Sequence, residues 1–140
     1  MIVLDTNVLS ELTRQAPDTT VLAWLDSLST AEVATTAITA AELHYGVARL
    51  PRGRRKTRLA EAVHEMLTDD FRGRVAPFDV FAAAQYAVVV TDREGLGRPI
   101  GVADGQIAAI CRSHRATLAT RNTKDFEATG IDLVDPWQLR

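Results

Sequence analysis

Residues 1–5, Met-Ile-Val-Leu-Asp, set the first constraint: four apolar residues, two of them β-branched, stop at a carboxylate. Such a run reads as a strand covered on both faces, the habit of a parallel sheet. A carboxylate at the end of a buried strand loses water and needs compensation. One answer is local: Asp5, Thr6 or Asn7 caps the helix expected from Val8-Leu9-Ser10-Glu11-Leu12. The other is that Asp5 holds a ligand or a metal. A single motif does not separate them, so recurrence along the chain decides.

Further strands are predicted at 32–36, 75–76, 116–120 and 131–135. Between them lie predicted helices over 19–28, 39–49, 59–67, 79–91 and 104–113, with a short turn or helix at 124–128. Val21-Leu22 with Trp24, Leu25 and Leu28 form one apolar stripe, and Phe81, Ala84 and Val88 another, both expected to face the core. "PRGRRK" at 51–56 interrupts the helices, and "GLGRPIG" at 95–101 reads as a loop. Strands separated by helices imply crossovers, hence an α/β fold with a mostly parallel sheet and helices on both faces. Ligands in such folds bind beyond the carboxyl ends of the strands.

The 140 residues fit one domain, 1–140, with a single covered core. No apolar run approaches a membrane span, and the first residues lack a basic leader, so no membrane association is expected. Cys111 is the only cysteine, which excludes an internal disulfide; a cytoplasmic setting is the expectation. The formal net charge of -2 rules out an overall polycation, so nucleic-acid contact would need a local patch.

Polar residues recur after the strands: Asp5 and Asn7, then Glu42, then Asp104 at a helix start, then Asn122 and Asp125. Each has a local explanation. Thr39-Ala40-Ala41-Glu42 fits a capping box, Asp104 an N-cap, and Asn122 or Thr123 a cap for the turn that holds Asp125. Independent caps, however, need not converge. If these acids do converge, carboxylates about 5 Å apart repel by roughly 3 kcal/mol at an effective dielectric near 20. A divalent cation relieves that repulsion, and an all-oxygen donor set suits Mg²⁺ or Mn²⁺. His44, His64, His114 and Cys111 form no zinc spacing and read as ordinary surface or packing residues.

With these residues collected, the chain resembles the PIN-domain family, and within it the VapC/FitB-type toxins of bacterial toxin–antitoxin pairs. The resemblance is carried by "LDTNVLSE" at 4–11, "ITAAELHYGV" at 38–47, "ADGQIAAI" at 103–110, "LATRNTKDF" at 118–126 and "DPW" at 135–137, in the family's order. It implies an α/β/α sandwich around a five-stranded parallel sheet and a metal-dependent ribonuclease. It carries acidic-site roles to Asp5, Glu42 and Asp104, with Asp5 and Asp104 as metal ligands for Mg²⁺ or Mn²⁺. The fourth acidic place falls at position 122 or at Asp125; Asp125 is assigned as the carboxylate and Asn122 as its polar neighbour. Thr6, Asn7 and Thr120 are expected to orient carboxylates or water. A homodimer and a cognate antitoxin of the VapB/FitA kind are further implications.

Cations for an RNA substrate are sought near these acids. Arg121 and Lys124 flank them in sequence, Arg112 and Arg115 extend that surface, and Arg49, Arg52, Arg54, Arg55, Lys56 and Arg58 form a basic run. That run has a plain alternative as a solvated loop and helix start. Trp24, Phe81, Tyr86 and Trp137 are expected in core or interface rather than under bases. Three rival readings remain. A phosphotransferase with a strand-end nucleophilic aspartate wants an acid at position 7, which is Asn7. A phosphate-accepting receiver wants an early acidic pair and a late strand-end lysine, and neither is evident. A noncatalytic PIN-like module that binds RNA or protein is the alternative of a different class.

Overall fold

Strand β1 (Ile2–Leu4) lies at the centre of its sheet, as a strand apolar on both faces must. The computed structural model describes residues 1–139. The other strands are β2 (Val33–Thr36), β3 (Val75–Ala76), β4 (Thr117–Ala119) and β5 (Leu133–Val134). They assemble in the order β3-β2-β1-β4-β5, and every pairing is parallel. Ile2 pairs with Val33 on one side and Thr117 on the other.

The helices are α1 (Thr6–Leu12), α2 (Thr19–Asp26), α3 (Ala37–Ala48), α4 (Arg54–Glu65), α5 (Val80–Gly95) and α6 (Val102–His114). Successive strand residues point to opposite faces. Leu4 accordingly joins one core with Val8, Leu9, Val21, Leu43 and Phe71, while Val3 joins another with Val89, Ile107, Ala108 and Leu118. The result is the α/β/α sandwich expected from the alternation. Gly105 lets α5 and α6 meet closely, because a Cβ there would stand 2.9 Å from the Tyr86 ring.

Several local expectations are corrected. Helix α4 begins at Arg54, so the basic run is largely helical rather than an interruption; Arg and Lys are good helix formers, and Gly53, at φ +152°, supplies the break. Helix α3 is capped by Thr36, whose Oγ1 accepts from Thr39 N at 3.0 Å, so Thr39 and Glu42 form no capping box. Gly101 occupies the N-cap of α6, which leaves Asp104 inside the first turn. Asn122 precedes the 3₁₀ turn Thr123–Phe126 without capping it through its side chain. On α5 the inward stripe is Ala82, Val89 and Arg93; Phe81 is 73% exposed, and Val88 and Ala84 are exposed too. In a stretch apolar all round, two neighbouring stripes have nearly equal periodicity, and packing against α6 selects between them.

Chain direction across the sheet reverses at β1, which has β2 on one side and β4 on the other. A crevice forms beyond the strand ends at such a switch point. Asp5 and Thr120 sit there, at the ends of β1 and β4.

Candidate active site

Asp5 links β1 to α1. Its backbone N donates to Ala119 O at 2.9 Å, extending the pairing of the two strands by one step. Its Oδ1 accepts from Thr6 N at 2.8 Å, as an N-cap does. Its Oδ2 accepts from the Thr120 hydroxyl at 2.7 Å and from Asn7 Nδ2 at 3.4 Å. The two initial readings of Asp5 are therefore compatible: it caps α1 and also faces a cleft. Burial pushes its carboxyl above the usual range; the bonds from Thr120 and Thr6 oppose this, and Glu42 and Asp125 add to it.

Around Asp5 the polar residues form one network. Asn7 Oδ1 accepts from Arg121 N at 3.1 Å, and Asn7 Nδ2 reaches Thr120 Oγ1 at 3.2 Å. Thr120 Oγ1 also accepts from Asn122 N at 3.1 Å. The Thr6 hydroxyl donates to Glu42 Oε1 at 2.7 Å, with the Thr39 hydroxyl 3.2 Å away. Asp104, half-buried in the first turn of α6, has its carboxyl pushed up to about 6. Burial is the first cause, then Asp5, Asp125 and Glu42; Arg93 opposes them.

These groups line a cleft of about 650 Å³. Asp5, Thr6, Asn7, Glu42, Asp104 and Asn122 are among its acidic and polar lining, and Arg14, Arg55, Arg58, Arg121 and Trp137 line it as well. Among the described residues no three His, Cys, Asp or Glu side chains close into a ready metal cage. The donors face a shared space rather than one point.

Not every sequence candidate reaches the cleft. Asp125 is exposed in the 3₁₀ turn and lies off the wall, yet near enough to raise both Asp5 and Asp104. Lys124, Arg52 and Arg54 are exposed and also lie outside the lining. Lys56 is otherwise engaged: its Nζ donates to Ala48 O at 3.0 Å and Leu50 O at 3.1 Å, at the end of α3. Of the basic run, only Arg55 and Arg58 face the acids.

Two buried charged residues escaped the sequence reading. Arg93 of α5 is 5% exposed and donates from Nη1 to the carbonyls of Asp125 and Glu127, each at 2.9 Å, and from Nε to Arg98 O at 2.6 Å. It ties the turn carrying Asp125 to α5. Its signal was its place four residues after Val89, in the inward register. Glu11 accepts from Asp18 N at 2.9 Å and pairs with Arg14 at 3.2 Å, which fixes the loop between α1 and α2.

The profile described as PIN domain matches residues 2–131. The VapC ribonuclease Y4jK of Sinorhizobium fredii (strain NBRC 101917 / NGR234) is 44% identical over 138 residues, spanning 99% of both chains. Toxin FitB of Neisseria gonorrhoeae (strain ATCC 700825 / FA 1090) is 44% identical over 137 residues, 98% of this chain and 99% of that one. A solved structure of FitAB bound to an IR36 DNA fragment aligns at TM-score 0.92 and 44% identity, covering 100% of this chain and 98% of the other.

Proposed function

The chain belongs to the PIN-domain family, and from that premise we propose that it is a metal-dependent ribonuclease toxin, neutralised by a cognate antitoxin of the VapB/FitA kind. Two relatives at 44% identity over almost the whole length are named as a VapC ribonuclease and a FitB toxin, which supports the reading. The observation that carries it is the meeting of Asp5, Glu42 and Asp104 in one cleft with Arg55, Arg58 and Arg121 in its lining. Acids alone would repel RNA; the arginines give its phosphates somewhere to rest.

The donor set fits Mg²⁺, or Mn²⁺ in its place. It is all oxygen, and Mg²⁺ is commonly held by one or two carboxylates with waters and substrate phosphates completing the shell. Asp5 and Asp104 would hold the ion; an open wall rather than a closed cage leaves room for those other ligands. When bound, the ion acidifies a water and offsets charge developing on the phosphoryl oxygens.

The protein's own groups do the positioning. Thr120 and Thr6 fix the two oxygens of Asp5, so its carboxylate faces the cleft in one orientation. Glu42, exposed and held by Thr6, is the carboxylate suited to take a proton from water at the phosphorus. Asn122 contributes a polar group to the wall, and Asp125 a negative field from just outside it. Arg55, Arg58 and Arg121 receive the strand on either side.

The test is incubation of the purified chain with total cellular RNA in Mg²⁺, Mn²⁺ or EDTA, followed by mapping of new ends. Discrete, chelator-sensitive ends are expected. Intact RNA under every metal condition would leave the noncatalytic binding module as the better account.

A further inference from the structure

Arg121 and Trp137 form a cation–π pair beside the acids. The guanidinium carbon of Arg121 lies 4.8 Å from the centre of the Trp137 ring, and both residues line the cleft that holds Asp5 and Asp104. Trp137 is a fixed plate. It is half-buried and packs against the core on the Leu4 face, and its backbone N donates to Asp135 Oδ1 at 2.9 Å. Arg121 is tethered through its backbone to Asn7, which in turn donates to Asp5. Two hydrogen bonds thus separate the platform from the buried carboxylate.

The Arg121 side chain is exposed, and among the described residues no carboxylate pairs with it. The cation–π contact places the guanidinium over the indole, with no described acid within ion-pair distance. A guanidinium beside an aromatic ring offers the two kinds of surface on which unpaired bases stack, guanidinium planes and aromatic rings. It also keeps N–H donors at its edge for a phosphate or a base edge.

Resting on the ribonuclease reading above, we infer that Trp137 and Arg121 form a binding subsite for one nucleobase of single-stranded RNA, next to the bond to be cut. The acids then address the phosphate, and the cation–π pair sets which nucleotide lies beside it. A purely structural pair would merely hold the segment after β5 in place.

The two roles separate in a binding experiment that does not depend on cleavage. Affinity is measured in an Asp104→Asn background for a short single-stranded RNA and for an abasic oligomer of equal length and charge. Trp137→Leu removes the plate; Arg121→Lys keeps the charge and removes the plane; Trp137→Phe keeps a smaller ring and most of the packing. Trp137→Leu and Arg121→Lys should each weaken RNA binding about tenfold, with Trp137→Phe between them and the parent. Abasic binding should stay within about twofold throughout, since its phosphate contacts are untouched. Equal losses for both oligomers would overturn the subsite and leave a charge contact. Unchanged affinity for both would also overturn it, and assign the pair to structure or to a protein contact. A chain that cuts no RNA yet prefers the base-bearing oligomer in this pattern would support the subsite while sinking the nuclease reading.

Discussion

The Thr120 hydroxyl donates a 2.7 Å hydrogen bond to Asp5 Oδ2, joining residues 115 positions apart. Thr120 is fully buried, and its oxygen also receives Asn7 Nδ2 and Asn122 N. One hydroxyl therefore uses its single donor and both acceptor sites to lock three cleft residues together.

Thr120→Val leaves Asp5 Oδ2 without its shortest partner. A stability loss of about 1–3 kcal/mol is expected, visible in thermal unfolding. The lost bond favoured the charged carboxylate, so its pKa should rise further and the acid limb of cleavage should move to higher pH. Thr120→Ser should preserve both properties.

Asp104 ionises at about 6 in the folded protein against 3.8 in the unfolded chain. The folded state therefore binds the proton more tightly between those values. This group's favourable contribution is complete below 3.8 and is lost as pH rises through about 6. In EDTA, Asp104→Asn should unfold at higher urea than the parent above about pH 7, by about 1 kcal/mol once solvent screening is allowed for. The difference should vanish toward about pH 4. A constant difference across that range would contradict the assignment.

Asp5→Asn and Glu42→Gln should each lower RNA cleavage about a hundredfold or more, and EDTA should do the same to the parent. Circular dichroism should remain that of the parent. Asp125→Asn should cost less, because Asp125 acts from outside the wall. Rates for the three variants, measured side by side, show whether Asp125 carries weight comparable to Asp5 and Glu42.

Arg93→Met would strip donors from the carbonyls of Arg98, Asp125 and Glu127. A loss of about 2–4 kcal/mol is expected in chemical denaturation. Arg93→Lys should recover only part of it, since one ammonium does not reproduce the planar fork.

Arg55 and Arg58 face the cleft, whereas Arg52 and Arg54 do not. Replacing the first pair with Gln should lower the salt slope of RNA binding by about 0.7 per residue. Replacing Arg52 and Arg54 should change it less. Equal slopes in the two double variants would show that the helix face does not matter.

The strand-end acids were legible because a strand boundary is a local event: apolar letters stop and Asp5 follows. The parallel sandwich was legible from alternation for the same reason. Side-chain direction was not. Phe81 and Ala82 are both apolar neighbours, and the packing of α5 on α6 turns the larger one out and the smaller in. Lys56 and Arg55 look alike in the basic run, yet one step along α4 sends Lys56 to the end of α3 and Arg55 to the cleft. The choice between Asn122 and Asp125 depends on how a 3₁₀ turn meets the end of β4, and no spacing rule fixes that.

Because β4 forms the cleft beside β1, synthesis itself delays the finished site. A nascent chain leaving the ribosome carries Asp5 and Glu42 long before Thr120, Arg121 and Trp137 emerge. Truncated products that stop short of residue 117 would hold Asp5, Glu42 and Asp104 but neither the hydroxyl that aims Asp5 nor Arg121 and Trp137. Completion of the cleft therefore waits on residues 117–137, more than a hundred positions after Asp5.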